Sequence, residues 1–202
     1  MYIFEIKKIN SQKVKISLDN GIAFVLYKGD LPKYGIKEGD IEDSIINDIL
    51  TELLPKRALN RALKIITGRD MTEGMLKNTL IKDGYPEDII DSCVERLKKE
   101  RLLDDERFVR GFIESKSFKK SKKDIMIALS MKGVNSDFAE RIYDELNEEG
   151  SVESEKNLIR KLLEKRHFDF ENADYESIQK EMQYLYRKGF SPDSIHSAFK
   201  DE

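Results

Sequence analysis

The chain has 202 residues, of which 39% are hydrophobic and 37% charged. An ordinary globular protein is roughly 25% charged, so the surface is large relative to the core and a thin or extended fold fits better than one thick globule. Lys plus Arg number 36 and Asp plus Glu 39, a net charge of −3 that excludes attraction to nucleic acid by overall charge and leaves only a local patch for it.

The N-terminus runs into Tyr2-Ile3-Phe4-Glu5-Ile6 with no secretory apolar segment, and no apolar run reaches the length of a membrane span, so a soluble, cytoplasmic protein is expected. Val14, Ile16 and Leu18 alternate with Lys13, Lys15 and Ser17, which puts the apolar set on one face of a strand. Asn20-Gly21 supplies a hairpin turn, Ile22 to Tyr27 the returning strand, and Tyr2 to Ile6 a third strand to support the pair. Beyond the broken stretch from Gly29 to Gly39, Asp40 is expected to cap a helix carrying Ile41, Ile45, Ile46, Ile49 and Leu53, with Pro55 ending it. Residues 1–54 thus predict a small β-hairpin and helix module, too small to be comfortable alone, whose helix docks on the hairpin or on the chain beyond residue 54.

From residue 55 onward no strand pattern appears, and the sequence repeats. Leu80 to Tyr85, Leu129 to Val134 and Leu185 to Phe190 each place Leu, then Gly four residues later, then an apolar residue. An aspartate comes four positions after each Gly, at Asp88, Asp137 and Asp193. The spacing predicts a helix closed by a left-handed Gly and a new helix starting at once, capped by Asn135 or Ser191 or opened by Pro86 or Pro192. With one upstream helix per unit, at Arg57 to Thr67, Asp105 to Phe118 and Glu153 to Arg166, three tandem three-helix repeats cover 55–104, 105–150 and 151–202. The fold class expected is mainly α, an elongated curved array preceded by the small β module. Stacking of neighbouring units is expected to cover stripes such as Phe108, Val109, Phe112 and Ile113, and the last unit to be trimmed.

Chemistry-bearing patterns are scarce. Cys93 is the only cysteine and falls in a helical apolar pattern, which indicates packing. His167 and His196 have no ligand-spaced partner, and the chain has no GxxxxGK[ST], GxGxxG or nucleophile elbow, so neither a metal, a cofactor nor an enzymatic activity is expected. Asp104, Asp105 and Glu106 read as charges at a helix start. The candidate contact patch is Lys116, Lys119, Lys120, Lys122 and Lys123 with Phe118 among them, suited to phosphates or to an acidic protein face. Arg57, Arg61 and Lys64 share one helix face as a second patch. Arg107 and Arg110 are open to pairing with the nearby acids or with a partner. Asp144, Glu145, Glu148, Glu149, Glu153 and Glu155 form an acidic cluster.

Leu102-Leu103-Asp104-Asp105-Glu106-Arg107-Phe108-Val109-Arg110, then the basic stretch, Ile125 to Leu129 and Lys132-Gly133-Val134, resembles the signature of the RecX family of bacterial recombination regulators. Ala58-Leu59 to Arg69, with the helix ending at Gly84-Tyr85, is similar to the family's first repeat. The resemblance covers about 55–202, while the β-rich first 54 residues and the lysine-rich stretch before Ile125 depart from the commonest pattern. It implies tandem three-helix repeats and a non-enzymatic monomer that binds the RecA recombinase and its filament on single-stranded DNA. It also implies restraint of ATP hydrolysis, filament extension and strand exchange, with weak direct DNA binding as an accessory. The alternative is an autonomous helical-repeat DNA-binding protein, since a three-helix unit can place a helix in a major groove.

Overall fold

A computed structural model describes residues 1–200, which form two compact units, Met1–Asp104 and a second beginning at Asp105. The first opens with an antiparallel sheet of β1 (Tyr2–Lys8), β2 (Lys13–Leu18), β3 (Ala23–Tyr27) and β4 (Gly39–Asp40), in the order β3-β2-β1-β4. Val14 faces Leu26 and Ile16 faces Phe24, the register the alternation predicts, and the Leu18 N–H closes the hairpin on the Ile22 carbonyl. Ile3, Ile16, Leu18, Phe24 and Leu26 line the inner face and are fully buried.

Two expectations fail at the end of this module. Asp40 does not cap a helix, because it belongs to β4 and pairs with Tyr2; the helix starts later, at α2 (Asp43–Asp48). Nor does Pro55 end it. A short helix α1 (Asp30–Lys33) precedes α2, and after α2 the chain widens into one π-helical turn, Ile49–Leu53, in which the Leu54 N–H reaches back five residues to the Ile49 carbonyl. The next helix, α3 (Leu54–Ile66), then starts with Pro55 in its first turn, where a missing N–H leaves no bond unmade. The boundary expected at residue 54 therefore lies inside a continuous helical run. Leu54 and Ala58 of α3 complete the core beneath the sheet, together with Ile46, Ile49 and Ile89.

The rest of unit one is α4 (Glu73–Asp83) and α5 (Glu87–Lys99), which enclose Ala62, Leu76, Leu80, Ile90, Val94 and Leu97 against α3. Tyr85 packs against both this cluster and the one under the sheet. Cys93 is buried here and unpaired, and burial pushes its thiol pKa up. Since only the thiolate attacks disulfides, a dithiobenzoate reagent should leave Cys93 unmodified in the native protein and react fully after denaturation; fast native labelling would contradict its burial.

Unit two holds two further three-helix groups. The first, α6 (Asp105–Ser117), α7 (Lys122–Ser130) and α8 (Ser136–Glu148), surrounds Val109, Ile113, Ile125, Leu129, Ile142 and Leu146. The second, α9 (Glu155–Lys165), α10 (Tyr175–Arg187) and α11 (Pro192–Lys200), surrounds Leu158, Ile159, Leu163, Leu185, Phe190 and Ile195. Gly84, Gly133 and Gly189 all take positive φ where the repeat places them. Asn135 and Ser191 accept from the Phe138 and Ser194 N–H groups as caps, and Asp88, Asp137 and Asp193 stand in the first turns of α5, α8 and α11.

Each group carries its own buried cluster, so the helix stripes are covered largely within a group and stacking is not their only cover. The last group is complete, with α11 as long as α7. Phe112 is half-buried and stacks on Phe108 at 6.0 Å between centroids, which places it at the edge of the core and not in its centre.

Candidate functional site

The ten basic residues singled out from the sequence divide by unit. In unit one, Arg57 commits its guanidinium to Asp30: Nη1 donates to Oδ2 at 2.6 Å and Nη2 to Oδ1 at 2.9 Å, while the group lies 5.0 Å from the centroid of the Tyr27 ring. Asp30 is buried and also accepts from the Tyr27 N–H, so this fork ties the sheet to α3. The Arg57 guanidinium holds the Asp30 carboxyl below the usual carboxylate range. Arg61 binds Asp83 at 2.8 Å, and Lys13 approaches the same carboxylate. Arg61 and Lys64 are both exposed, and of the three only Lys64 carries no ion pair among the described residues. Helical spacing put these cations on one face but did not reveal that acids 27 and 22 residues away hold two of them.

In unit two, Arg107 is exposed on the first turn of α6. Arg110 meets Glu106, Glu145 and Glu149, of which Glu149 is nearest at 3.1 Å, so it joins α6 to the end of α8. That choice also accounts for much of the acidic cluster: Asp144 pairs with Lys122, Glu145 with Arg110 and Arg141, and Glu153 with Lys161.

The five lysines gather at the corner between α6 and α7. Lys116 lies over the Phe112 ring at 5.8 Å, and the Lys119 and Lys120 N–H groups both bond the Lys116 carbonyl, which turns the chain sharply. Lys119, Lys120 and Lys123 are exposed, beside a Phe118 that is 57% exposed. Lys122 differs, since its ammonium is 2.8 Å from Asp144 and 4.8 Å from the centroid of the Tyr143 ring.

Just beyond this corner the two helix groups of unit two are joined. Ser121 caps α7 by accepting from the Asp124 N–H, and its hydroxyl donates to the Lys188 carbonyl at the end of α10. Glu155, in the first turn of α9, accepts from the Lys122 N–H through Oε1 at 2.9 Å and from the Ser191 N–H through Oε2 at 3.3 Å. One carboxylate thereby meets the positive ends of α7 and α11. Gly189 makes the close approach possible: a Cβ there would stand 2.9 Å from the Ser121 hydroxyl.

Beside this joint lies an open groove of about 820 Å³, lined by α7 and α8 on one side and the α10–α11 turn on the other. Met126, Ile127, Tyr143, Tyr186 and Phe190 give it an apolar lining. Burial, with the Glu155 and Asp144 carboxylates nearby, pushes the Tyr143 hydroxyl up to about 12. Sequence reading assigned Glu155 only to the acidic cluster and passed over Ser121, Ile127 and Tyr186. The one signal available was a serine directly before a helix start. Among the described residues, no cluster of three or more His, Cys, Asp or Glu side chains is placed to hold a metal ion, and no helix is long and apolar enough to cross a membrane.

Two of the three helix groups match family models. The model of RecX, first three-helix domain, matches residues 58–97, and that of RecX, third three-helix domain, matches residues 153–199. A regulatory protein RecX from Clostridium botulinum (strain Eklund 17B) is 29% identical over 201 residues, covering 98% of this chain and 93% of its own. One from Caldanaerobacter subterraneus subsp. tengcongensis is 27% identical over 195 residues, covering 96% and 95%. In fold, the chain is similar to a crystal structure of regulatory protein RecX, with a TM-score of 0.64 and 23% identity over 100% of this chain and 99% of that one. A RecX structure from Lactobacillus salivarius gives a TM-score of 0.62 over 73% of this chain and 96% of that one. The glycine-closed repeat, the two matched three-helix domains and relatives that run nearly its full length carry one conclusion, that the chain is similar in sequence and in fold to regulatory proteins RecX.

Proposed function

We propose that this chain regulates the RecA recombinase by binding its filament on single-stranded DNA and restraining ATP hydrolysis, filament extension and strand exchange. It acts as a cytoplasmic monomer without catalysis of its own. The observation that carries the reading is similarity over nearly the whole chain to proteins named regulatory protein RecX. Lys119, Lys120 and Lys123 are the contact lysines of choice, because their side chains stand in solvent while Lys122, Arg57, Arg61 and Arg110 are held by carboxylates of the chain itself.

Titration of RecA from the same organism, with DNA-stimulated ATP hydrolysis as readout, tests this. Inhibition should be complete below one copy per RecA protomer. Replacing Lys119, Lys120 and Lys123 by Ala should raise the concentration needed about tenfold and flatten its salt dependence, by a slope of about 2 if the three lysines meet phosphates. Helix content should not change. Unaltered inhibition at equal salt would remove the patch from the interface. Autonomous duplex binding is disfavoured by the acidic first turns of α5, α8 and α11, which carry Asp88, Asp137 and Asp193 where a phosphate would approach. Tight binding to DNA without RecA would reverse that preference.

A further inference from the structure

We propose that the groove between the two helix groups of unit two is a docking site for a short segment of the recombinase that carries one apolar anchor flanked by acidic residues. The inference rests on the reading of this chain as a RecA regulator and adds where, and by what chemistry, the partner protein is gripped.

Three observations select that occupant. First, the groove offers apolar side chains to solvent at its mouth: Ile127 is 49% exposed and Tyr186 45%, over a deeper lining of Met126, Tyr143 and Phe190. One turn further along from Ile127, Met131 is 85% exposed and extends the apolar surface. Large apolar side chains grouped in a concave site signal a binding surface, where scattered single ones would not.

Second, the charge left over is positive. Asp144 is neutralised by Lys122, and both Glu155 oxygens are taken by backbone N–H groups. Lys123 in the lining and Lys119 and Lys120 next to it are exposed with no ion pair among the described residues, against one exposed carboxylate in the lining, Glu140, that is likewise unpaired among them. A partner segment with acidic residues beside its anchor matches that surplus.

Third, the lining excludes a nucleic-acid strand. The unpaired Glu140 faces the groove, where a run of phosphates would meet it, and the apolar floor gains nothing from a sugar–phosphate backbone. A protein segment can place one apolar side chain between Ile127 and Tyr186 and keep its carboxylates at the lysine rim. The lysine corner is then a rim for protein acids and not only a counter-charge for DNA.

The test uses the full chain and RecA of the same organism assembled on single-stranded DNA. Filament affinity is measured for the native chain, Ile127→Gln and Lys123→Glu, each checked by its melting temperature, and a photo-crosslinking residue is placed at position 127. Both substitutions are at exposed positions, so the melting temperature should be unchanged. Affinity should fall about tenfold for each, as expected for the loss of an anchor contact and of a charge match. The crosslink should fall on one RecA peptide containing acidic residues. Affinities within twofold of native, or a crosslink to DNA or to a second copy of this chain, would overturn the groove assignment while regulation stands. If the native chain does not bind the filament at all, the regulatory reading falls and this occupant falls with it.

Discussion

Gly84→Ala should destabilise unit one by about 2–5 kcal/mol in urea unfolding, the largest effect expected of any single-atom addition to this chain. Two costs combine. Gly84 has φ +88°, a left-handed backbone that costs an L-residue about 1–2 kcal/mol. The added Cβ would also stand 2.1 Å from Cγ2 and 2.8 Å from Cβ of Val25. Val25 is β-branched and stiff, so relief requires β3 itself to move, and overpacking of this kind costs about 1–3 kcal/mol. That movement would strain the bond from the Val25 N–H to the Gly84 carbonyl, 3.2 Å long, which ties the sheet edge to the first helix group. Adding Val25→Ala in the same chain removes the 2.1 Å contact with Cγ2 but keeps the 2.8 Å contact with Cβ, so it should recover part of the steric cost and leave the backbone part. A loss below 1 kcal/mol for Gly84→Ala alone would show that the sheet and the α4–α5 turn are not pressed together as described.

Asp30→Ala should cost about 2–4 kcal/mol. The lower bound reflects the partial solvent access that Arg57 retains, and the upper the penalty of leaving a largely buried charge and the Tyr27 N–H without their acceptor. Arg57→Lys should recover less than half of the pair, because an ammonium cannot make both arms of the fork. The pH dependence has a definite sign. The folded-state pKa of Asp30 is depressed, through the Arg57 hydrogen bond first, so the unfolded chain binds the proton more readily than the folded one. The contribution is fully present above the unfolded value of about 3.9 and is lost as pH falls through the lower folded value. Asp30→Asn should therefore reduce the acid-side slope of stability against pH without abolishing it, since Glu73, Glu153, Asp169 and Asp174 are also held low; an unaltered slope would place the acid sensitivity elsewhere.

The range of an interaction along the chain decides whether the residues alone reveal it. Val14, Ile16 and Leu18 announce their strand because a period of two is local. The three glycines announce their helix ends because the left-handed backbone is a property of one residue. Pro55 misleads for an equally clear reason: a proline in a helical pattern reads as a terminator unless the preceding turn has widened, and the π-wound turn from Ile49 to Leu53 has no composition that marks it. Arg57 and Arg61 were legible as cations on a helix face but not as paired ones, since their carboxylates arrive from other elements; for Arg110 pairing with a nearby acid was an open reading, met by Glu106, while Glu145 and Glu149 come from α8 and its end. The lysine corner was legible because its five members are close in sequence. The groove beside it was not, because it is made where α7 and α8 meet the α10–α11 turn, and nothing in either segment refers to the other.

The Glu155 joint bears on how this protein tolerates change. Its two acceptor bonds end on backbone amides, at Lys122 and Ser191, and every residue except proline supplies such an amide. The side chains at 122 and 191 can therefore be exchanged without loosening the joint, whereas position 155 must present a carboxylate of glutamate's reach, and position 189 must present no side chain at all. The attachment of the third helix group thus depends on two addresses out of four. The side chains at the other two answer to different contacts, Lys122 to Asp144 and Ser191 to the first turn of α11.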